Sequence, residues 1–544
     1  MSENNKMYRG TLFLTVSTFI SQLLGMLYII PFYGIMGGEE NLALYGYAYT
    51  PYTIMLSVAS AGVPGAVSKF VAKYNALGAF KTSEKLYKSS LVVMITSGFL
   101  VFGLLWFLAP LIADIQLIAQ TDAELAWNKA DITNIIRVIS FAVIIVPFMA
   151  TWRGIFQGFE SFGPTSVSGV VEQIVRITVL LGGSFIAIKV LGGSIQLGNQ
   201  VAVFAAFIAA ISATLVLFIF WRKRKPQIKK QVDSDHTGIN LSYKTMYKEI
   251  IRYAVPFIVI GITFPMTMFI DQLTHNNALA IAGVAEEYRD AWFGMLNITT
   301  QKLVMIPVGL ASAFAISILP FITKSFQQKR FDDLEKQVSS MVVMQMFFVI
   351  PAAIGMMILA APLYTAFYSF NEMGIKILTF YAPVCIIISL FSMTASIVQG
   401  IDKQNLTVFV VLSVLGTKAL LNIPMITKFY TVGATMSTII ALFIGVILNF
   451  IIIKKYGKFH FRKIIGTVFD IVLYGIVMLL AVEIVYFLFM MNFDITNRMV
   501  SVALLAVAVP VGVIVYFILT FKSGLADKIL GERANAIRRR LKFL

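Results

Sequence analysis

Three cations in this chain sit inside long apolar stretches: Arg176 in Ile174-Val175-Arg176-Ile177, Lys302 in Gln301-Lys302-Leu303-Val304, and Lys418 in Thr417-Lys418-Ala419-Leu420. A Lys or Arg at the centre of a membrane-crossing helix costs about 2.5–3.5 kcal/mol on insertion scales, so it needs a partner. The chemistry open to such groups is anion binding through charge-assisted hydrogen bonds to phosphate or carboxylate. Glu172 precedes Arg176 by four positions, so that pair also reads as a self-neutralising bridge on one helix face. No acid lies within one helical turn of Lys418 or Lys302 in the sequence. Both are expected to line a wet cavity and to meet an anionic substrate. Arg153, beside Trp152, reads either as a cavity lip or as a headgroup anchor, and Arg137 is equally open. Among acids in apolar segments, Asp271 could bind Na⁺ or a proton or pair with Lys302, while His275 reads as interfacial.

The cations recur in register. Gln157-Gly158 and Arg176 in the first half match Gln399-Gly400 and Lys418 in the second at one common offset. A second match, with a changed loop length, sets Ala79-Phe80-Lys81 against Arg330-Phe331-Asp332. Repeats with a site at their interface are a common transporter plan.

Composition says what must position these residues. Of 544 residues, 58% are hydrophobic and 13% charged, with a mean hydropathy of +0.83, against about 25% charged for a soluble domain. Apolar runs long enough to span predict about fourteen helices, near 10–36, 45–75, 87–113, 132–158, 162–188, 198–221, 250–275, 291–323, 338–362, 374–400, 405–425, 432–453, 465–490 and 497–521. Prolines inside them, such as Pro147, Pro256 and Pro307, suit bent helices around a cavity. The expected fold is an all-α polytopic membrane protein with two pseudo-symmetric six-helix lobes plus two C-terminal helices. Its parts are an N-lobe over 1–221, a flexible basic cytoplasmic linker over 222–249, a C-lobe over 250–453, two lipid-groove helices over 454–521 that lie outside the repeat, and a basic cytoplasmic tail over 522–544. Because each lobe has an even number of spans, an axis along the membrane normal is expected to relate them.

Alternate connections are basic, from Lys69, Lys73 and Lys81 through Arg222-Lys223-Arg224-Lys225 to Lys454 and Lys455, whereas the opposite set carries Glu39, Glu40, Asp114, Glu286, Glu287 and Asp290. The positive-inside rule then puts both termini in the cytoplasm. The net charge of +17 is dispersed over many loops without an aromatic platform, which argues against nucleic acid. Met1 to Arg9 is polar and the run from Gly10 is long enough to span, so no cleavable signal peptide is expected. One cysteine, Cys385, excludes a disulfide framework. No metal cluster, nucleotide loop or nucleophile constellation is read, so the chain is not expected to be an enzyme.

Gln301-Lys302-Leu303-Val304-Met305-Ile306-Pro307-Val308-Gly309-Leu310 through Ser317-Ile318-Leu319-Pro320 resembles the eighth helix of MurJ-type lipid II flippases, and Ala61-Gly62-Val63-Pro64 before Lys73-Tyr74 is similar to their second. The resemblance covers essentially the whole chain and falls in the MOP exporter superfamily, nearest the branch of YtgP-like and stage V sporulation protein B-like proteins. It implies movement of the undecaprenyl-pyrophosphate-linked peptidoglycan precursor from the inner to the outer leaflet of a bacterial plasma membrane by alternating access, with a cationic central cavity. Lys302 stands where the family has an essential Arg, which keeps the charge but loses a bidentate grip. Ser21-Gln22-Leu23-Leu24-Gly25 lacks the Arg of the family's first helix, and the second-helix Arg is missing around Tyr52. Arg176, Lys418 and Arg153 are expected to supply the displaced positive charge, and Glu172 is expected beside them among the substrate-binding residues. The family's sodium site uses acids of the second lobe. Asp271 could serve there with Asn422 as partner, although Ile426 stands where another acid is expected. No bound cofactor is implied, and coupling to Na⁺, to H⁺ or to the membrane potential stays open. Partners are the lipid-linked substrate, the bilayer and cell-wall synthesis proteins. The alternatives are a flippase for another undecaprenyl-linked oligosaccharide and a MATE-like multidrug or cation antiporter; the latter would need first-lobe acids, where Glu172 is accompanied by Arg176.

Overall fold

The computed structural model describes residues 17, 20–21, 24–25, 28–60, 62–118, 127–309, 311, 322, 325–326, 328–460 and 462–530. All regular structure among them is helical. In order these are α1 (Ile29–Met36), α2 (Glu39–Ser60), α3 (Val63–Ala76), α4 (Phe80–Ile118), α5 (Lys129–Gly158), α6 (Phe162–Phe185), α7 (Ile195–Asp233), α8 (Tyr243–Ile281) and α9 (Glu286–Gly294). They continue as α10 (Phe331–Ile358), α11 (Ala360–Phe367), α12 (Glu372–Tyr381), α13 (Val384–Gly400), α14 (Gln404–Phe429), α15 (Thr431–Gly457), α16 (Arg462–Met490), α17 (Arg498–Lys522) and α18 (Leu525–Leu530). Wide-turn π segments occupy Ile186–Val190 and Met295–Thr300, and residues 301–309 are helical.

Twelve helices among the described residues are long and apolar enough to cross a membrane, and each coincides with an expected span. The remaining two expected spans, 10–36 and 291–323, lie partly outside the described residues. At 1.5 Å per residue, the 30 residues of α5 exceed the bilayer's roughly 30 Å hydrocarbon thickness. Polar caps mark the ends: Asn128 Oδ1 accepts from the Asp131 amide at 3.0 Å, and the Asn128 amide donates back to Asp131 at 3.1 Å.

Contacts divide the chain into two units. The first is Met1–Asn277 with Ala285–Gly294, and the second is Ala278–Val284 with Met295–Leu544. The C-lobe was expected to begin at 250, yet most of α8 belongs to the first unit. The reason is a polar cluster that no hydropathy profile reveals. Gln272 donates to the Tyr47 carbonyl at 3.1 Å, and Asp290 accepts from Asn276 at 2.7 Å and from the Tyr47 hydroxyl at 2.8 Å. His275 is accordingly buried, not interfacial as its place near a helix end suggested, and Asp290, read as part of an acidic connection, is buried as well. The pair α16–α17, expected outside the repeat as lipid-groove helices, packs within the second unit, where Tyr516 donates to the Phe347 carbonyl at 2.9 Å.

The internal repeat is visible in matched turns. In the first unit α5 ends at Gly158 and Glu160 takes a positive φ of 55°; in the second α13 ends at Gly400 and Asp402 takes 56°. The Ser161 amide donates to the Phe156 carbonyl and the Lys403 amide to the Val398 carbonyl, the same pattern in each copy. Before α4 and α10, Gly78 and Lys329 likewise share a left-handed φ, and the amides of Ala79 and Arg330 reach back to the carbonyls of Tyr74 and Ser325. A left-handed non-glycine residue costs about 1–2 kcal/mol, so its recurrence at matched positions reflects a shared chain path.

Within the first unit Gly154 and Gly158 let α5 approach α3. A Cβ on Gly154 would overlap the Pro64 carbonyl, and one on Gly158 would sit 2.8 Å from the Ser68 carbonyl. Small residues four apart are a common means of close packing in lipid, where helices gain little from hydrophobic contact alone. This approach fixes the height of Arg153 on α5.

The linker expected to be flexible over 222–249 is mostly helix, because α7 runs to Asp233 and α8 starts at Tyr243. Its Lys- and Arg-rich continuation has good helix propensity. Residues 234–242 are tied to the start of α4: Asp235 Oδ2 accepts from the Lys81 amide at 2.8 Å, and Lys85 Nζ donates to the Leu241 carbonyl at 2.8 Å. The Lys81 amide, then the Thr237 amide and hydroxyl, hold the Asp235 carboxyl below the usual carboxylate range. A lowered pKa contributes stability that is present above the ordinary Asp value and lost as pH falls through the lowered one. Hydrogen exchange at the Lys81 amide should therefore speed up as pH drops below about 4, after correction for intrinsic rates, and Asp235→Ala should show that loss of protection already at neutral pH.

Candidate functional site

The structure brings together three of the expected residues. Glu172, on α6, accepts from Arg153 Nη2 on α5 at 2.9 Å through one oxygen and from Arg176 Nη2 on its own helix through the other. Arg153 is further fixed by Nε donating to Ser168 Oγ at 2.9 Å, and that hydroxyl donates to the Thr165 carbonyl at 3.0 Å. The three side chains are 18% (Arg153), 13% (Glu172) and 27% (Arg176) exposed. They are sheltered but open to contact. One carboxylate between two guanidiniums leaves a net positive charge, so the self-neutralising bridge is only half the arrangement. Arg176 Nε is buried and, among the described residues, has no hydrogen-bond partner. Such an unused donor on a charged group is costly unless an acceptor arrives.

Tyr45, Tyr49 and Tyr52 of α2 lie within electrostatic reach of Arg176, and their rings form a ladder with centroids 5.3 and 5.7 Å apart. Where the resembling family was expected to have an Arg near Tyr52, this chain sets phenols beside a cation contributed by α6. Sequence reasoning missed them, though the Tyr-rich run Tyr45-Gly46-Tyr47-Ala48-Tyr49 in an apolar span was the available signal. Arg137 is accounted for locally: its guanidinium lies 5.4 Å from the Trp106 ring centroid.

In the second unit Lys418 departs from expectation. It is 0% exposed and does not line a wet cavity in this conformation. Its ammonium donates to the Ala434 carbonyl at 2.9 Å, Ser437 Oγ at 3.0 Å and Thr438 Oγ1 at 2.8 Å, all on α15. Those oxygens meet the requirement that the sequence assigned to a substrate. Asn422, expected beside Asp271 in ion coupling, belongs to this network and accepts from Ser437 at 2.7 Å. Asp271 lies in the first unit, 5% exposed, one turn before His275 on α8.

Lys302, partly buried, stands at the start of the regular helix 301–309, directly after the π segment Met295–Thr300. The wide turn is held in place by Tyr368, which donates to the Thr299 carbonyl at 2.9 Å, and by the pairing of Thr299 with the Tyr364 hydroxyl at 3.1 Å. Such wide turns re-aim the residues that follow and recur at functional sites.

Also in the second unit, an apolar cavity of about 330 Å³ opens between α10, α11, α16 and α17, lined by residues including Phe348, Pro351, Met356, Val482, Val509 and Gly512.

Residues 7–326 match the family model described as polysaccharide biosynthesis protein. Among solved structures, the chain aligns with the lipid II flippase MurJ in an inward closed conformation at a TM-score of 0.63 and 18% identity, over 95% of this chain and 99% of that one. An inward-facing multidrug resistance MATE family transporter of the MOP superfamily aligns at 0.60 and 16%, over 82% and 98%. The fold is that of the MOP superfamily, and the chain is a multi-pass membrane protein. A curated relative, lipid II flippase MurJ of Bacillus subtilis (strain 168), is 37% identical over 97% of this chain and 98% of its own length. The chain belongs to the MurJ family.

Removing Glu172 should expose the tension in its cluster. Glu172→Ala leaves two guanidiniums without their shared acceptor and should lower stability by about 1–3 kcal/mol, read as a fall in the melting midpoint of the purified protein. Adding Arg153→Ala should recover part of that loss, because the two changes couple.

Proposed function

We propose that the protein moves lipid II, the lipid-linked peptidoglycan precursor, from the inner to the outer leaflet of a bacterial cell membrane by alternating access. The observation that carries this reading is the net positive Arg153–Glu172–Arg176 cluster inside membrane-crossing helices. The near full-length likeness to a protein named lipid II flippase gives it a substrate class. Arg153 and Arg176 offer guanidinium donors suited to a diphosphate, and Lys302 offers a further cation. Glu172 keeps the two arginines paired and oriented while no substrate is bound. A diphosphate would take over donors now aimed at Glu172 and supply an acceptor for Arg176 Nε. The apolar cavity beside α16 and α17 fits part of an isoprenoid chain, with apolar walls replacing lipid.

On this reading the basic connections and both termini face the cytoplasm. The membrane potential, worth about 2.3 kcal/mol per charge per 100 mV, favours outward movement of the anionic headgroup. A MATE-like cation antiporter is the weaker reading, because the acid available in the cluster, Glu172, is already engaged by two cations.

In cells depleted of the native protein, Lys302→Ala and Arg176→Ala should each reduce lipid II in the outer leaflet about tenfold or more while the protein still reaches the membrane. Each removes a charge-assisted hydrogen bond worth about 1.5–3 kcal/mol. Normal flipping by both variants would refute the reading. Normal lipid II flipping in depleted cells, with another undecaprenyl-linked oligosaccharide stranded inside, would transfer the assignment to that lipid.

A further inference from the structure

From the sequence alone, Lys418 and Asn422 have different tasks, one to meet an anion and the other to help bind a cation. In the structure they share one network. Lys418 is among the largest fully buried side chains, and its ammonium donates to three neutral oxygens on α15: the Ala434 carbonyl, Ser437 Oγ and Thr438 Oγ1, at 2.8–3.0 Å. Around them a second tier is tied down. Ser437 donates to Asn422 Oδ1 at 2.7 Å, and the Ser437 and Thr438 hydroxyls also lie 2.9 Å from the Ala434 carbonyl.

The α14–α15 turn makes the cradle. Tyr430 sits at φ 55°, and a Cβ on Gly433 would overlap the Met425 carbonyl, so α15 turns back closely against α14. Ala434, Ser437 and Thr438 then fall on the one face of α15 that Lys418 can reach. A carbonyl and two hydroxyls converging on one point are the ligand set that monovalent cations use in place of hydration water.

We propose that Lys418 is a tethered cation: its ammonium permanently fills a monovalent-cation cradle between α14 and α15, so the second unit needs no ion from solution at this place. The tether supplies the charge at high effective concentration, as any intramolecular ligand does. The cradle is complete in the protein alone and does not depend on which lipid is carried. Occupation of this place in the unaltered protein is therefore indifferent to replacing sodium and potassium with a large organic cation at constant ionic strength.

The test empties the cradle. Lys418→Ala removes the ammonium and its stem, leaving the oxygens facing a space that a small cation can enter. The melting midpoint of purified Lys418→Ala should rise by about 3 °C or more when ammonium or methylammonium chloride replaces choline chloride at equal ionic strength, while the unaltered protein does not respond. Lys418→Met, which fills the same volume with an uncharged chain, should be less stable than the parent and should not respond to any of these cations. The proposal is overturned if Lys418→Ala is indifferent to ammonium, methylammonium, sodium and potassium. It is equally overturned if Lys418→Ala stays unfolded in ammonium while Lys418→Met folds, or if the unaltered protein is stabilised by sodium or potassium over choline. These readouts are melting midpoints, so they stand apart from any failure of the lipid assignment.

Discussion

A positive charge inside a membrane-crossing helix must find oxygen, and the structure gives two answers to that demand at equivalent places in an internal repeat. Arg176 follows the start of α6 by the same distance that Lys418 follows the start of α14, and both helices follow the same left-handed turn. Arg176 shares one carboxylate with Arg153 and keeps an unused buried donor among the described residues. Lys418 is closed in by three oxygens of the neighbouring helix. Duplication supplied the same position twice. The surrounding oxygens differ: one copy keeps a buried donor without a partner among the described residues, and the other is closed in by its neighbouring helix.

Much of the fold was legible because hydropathy has a long wavelength. Span lengths follow from bilayer thickness, and the repeat follows from Gln157-Gly158 and Gln399-Gly400, which prove to be the last residues of α5 and α13. The unit boundary was not legible, because Tyr47, Asn276 and Asp290 are distant in sequence and their hydrogen bonds leave no periodic trace. Nor was the helical continuation of α7 to Asp233, since a basic run reads equally as a solvated helix or a loop. At the site, cations were easy to find and their partners were not. Glu172 was visible four residues from Arg176, whereas the second clasp to Arg153 and the tyrosines of α2 required the packing of three helices. Lys418 shows the limit most plainly. With no acid nearby in sequence it read as a charge seeking a substrate, yet ordinary serine, threonine and carbonyl oxygens satisfy it.

The proposed flippase activity divides its physical tasks between polar and apolar surfaces. Guanidiniums held by Glu172 are oriented before a ligand arrives, so little rotamer entropy is lost when a diphosphate displaces that carboxylate. The exchange trades one anion for another and never exposes a bare cation to lipid. On that reading the apolar cavity in the second unit asks nothing of charge and takes part of the isoprenoid chain that would otherwise remain among lipid tails.

On the proposed reading, the Arg153–Glu172–Arg176 cluster recognises a diphosphate. The most direct measurement of this is native mass spectrometry of the purified protein offered undecaprenyl diphosphate and undecaprenol at equal concentration. Retention of the diphosphate lipid should exceed that of the alcohol by about tenfold or more, as expected for at least one charge-assisted hydrogen bond, and that preference should be lost in Arg153→Ala/Arg176→Ala. Equal retention of both lipids by the unaltered protein, or an unchanged preference in the double variant, would contradict it.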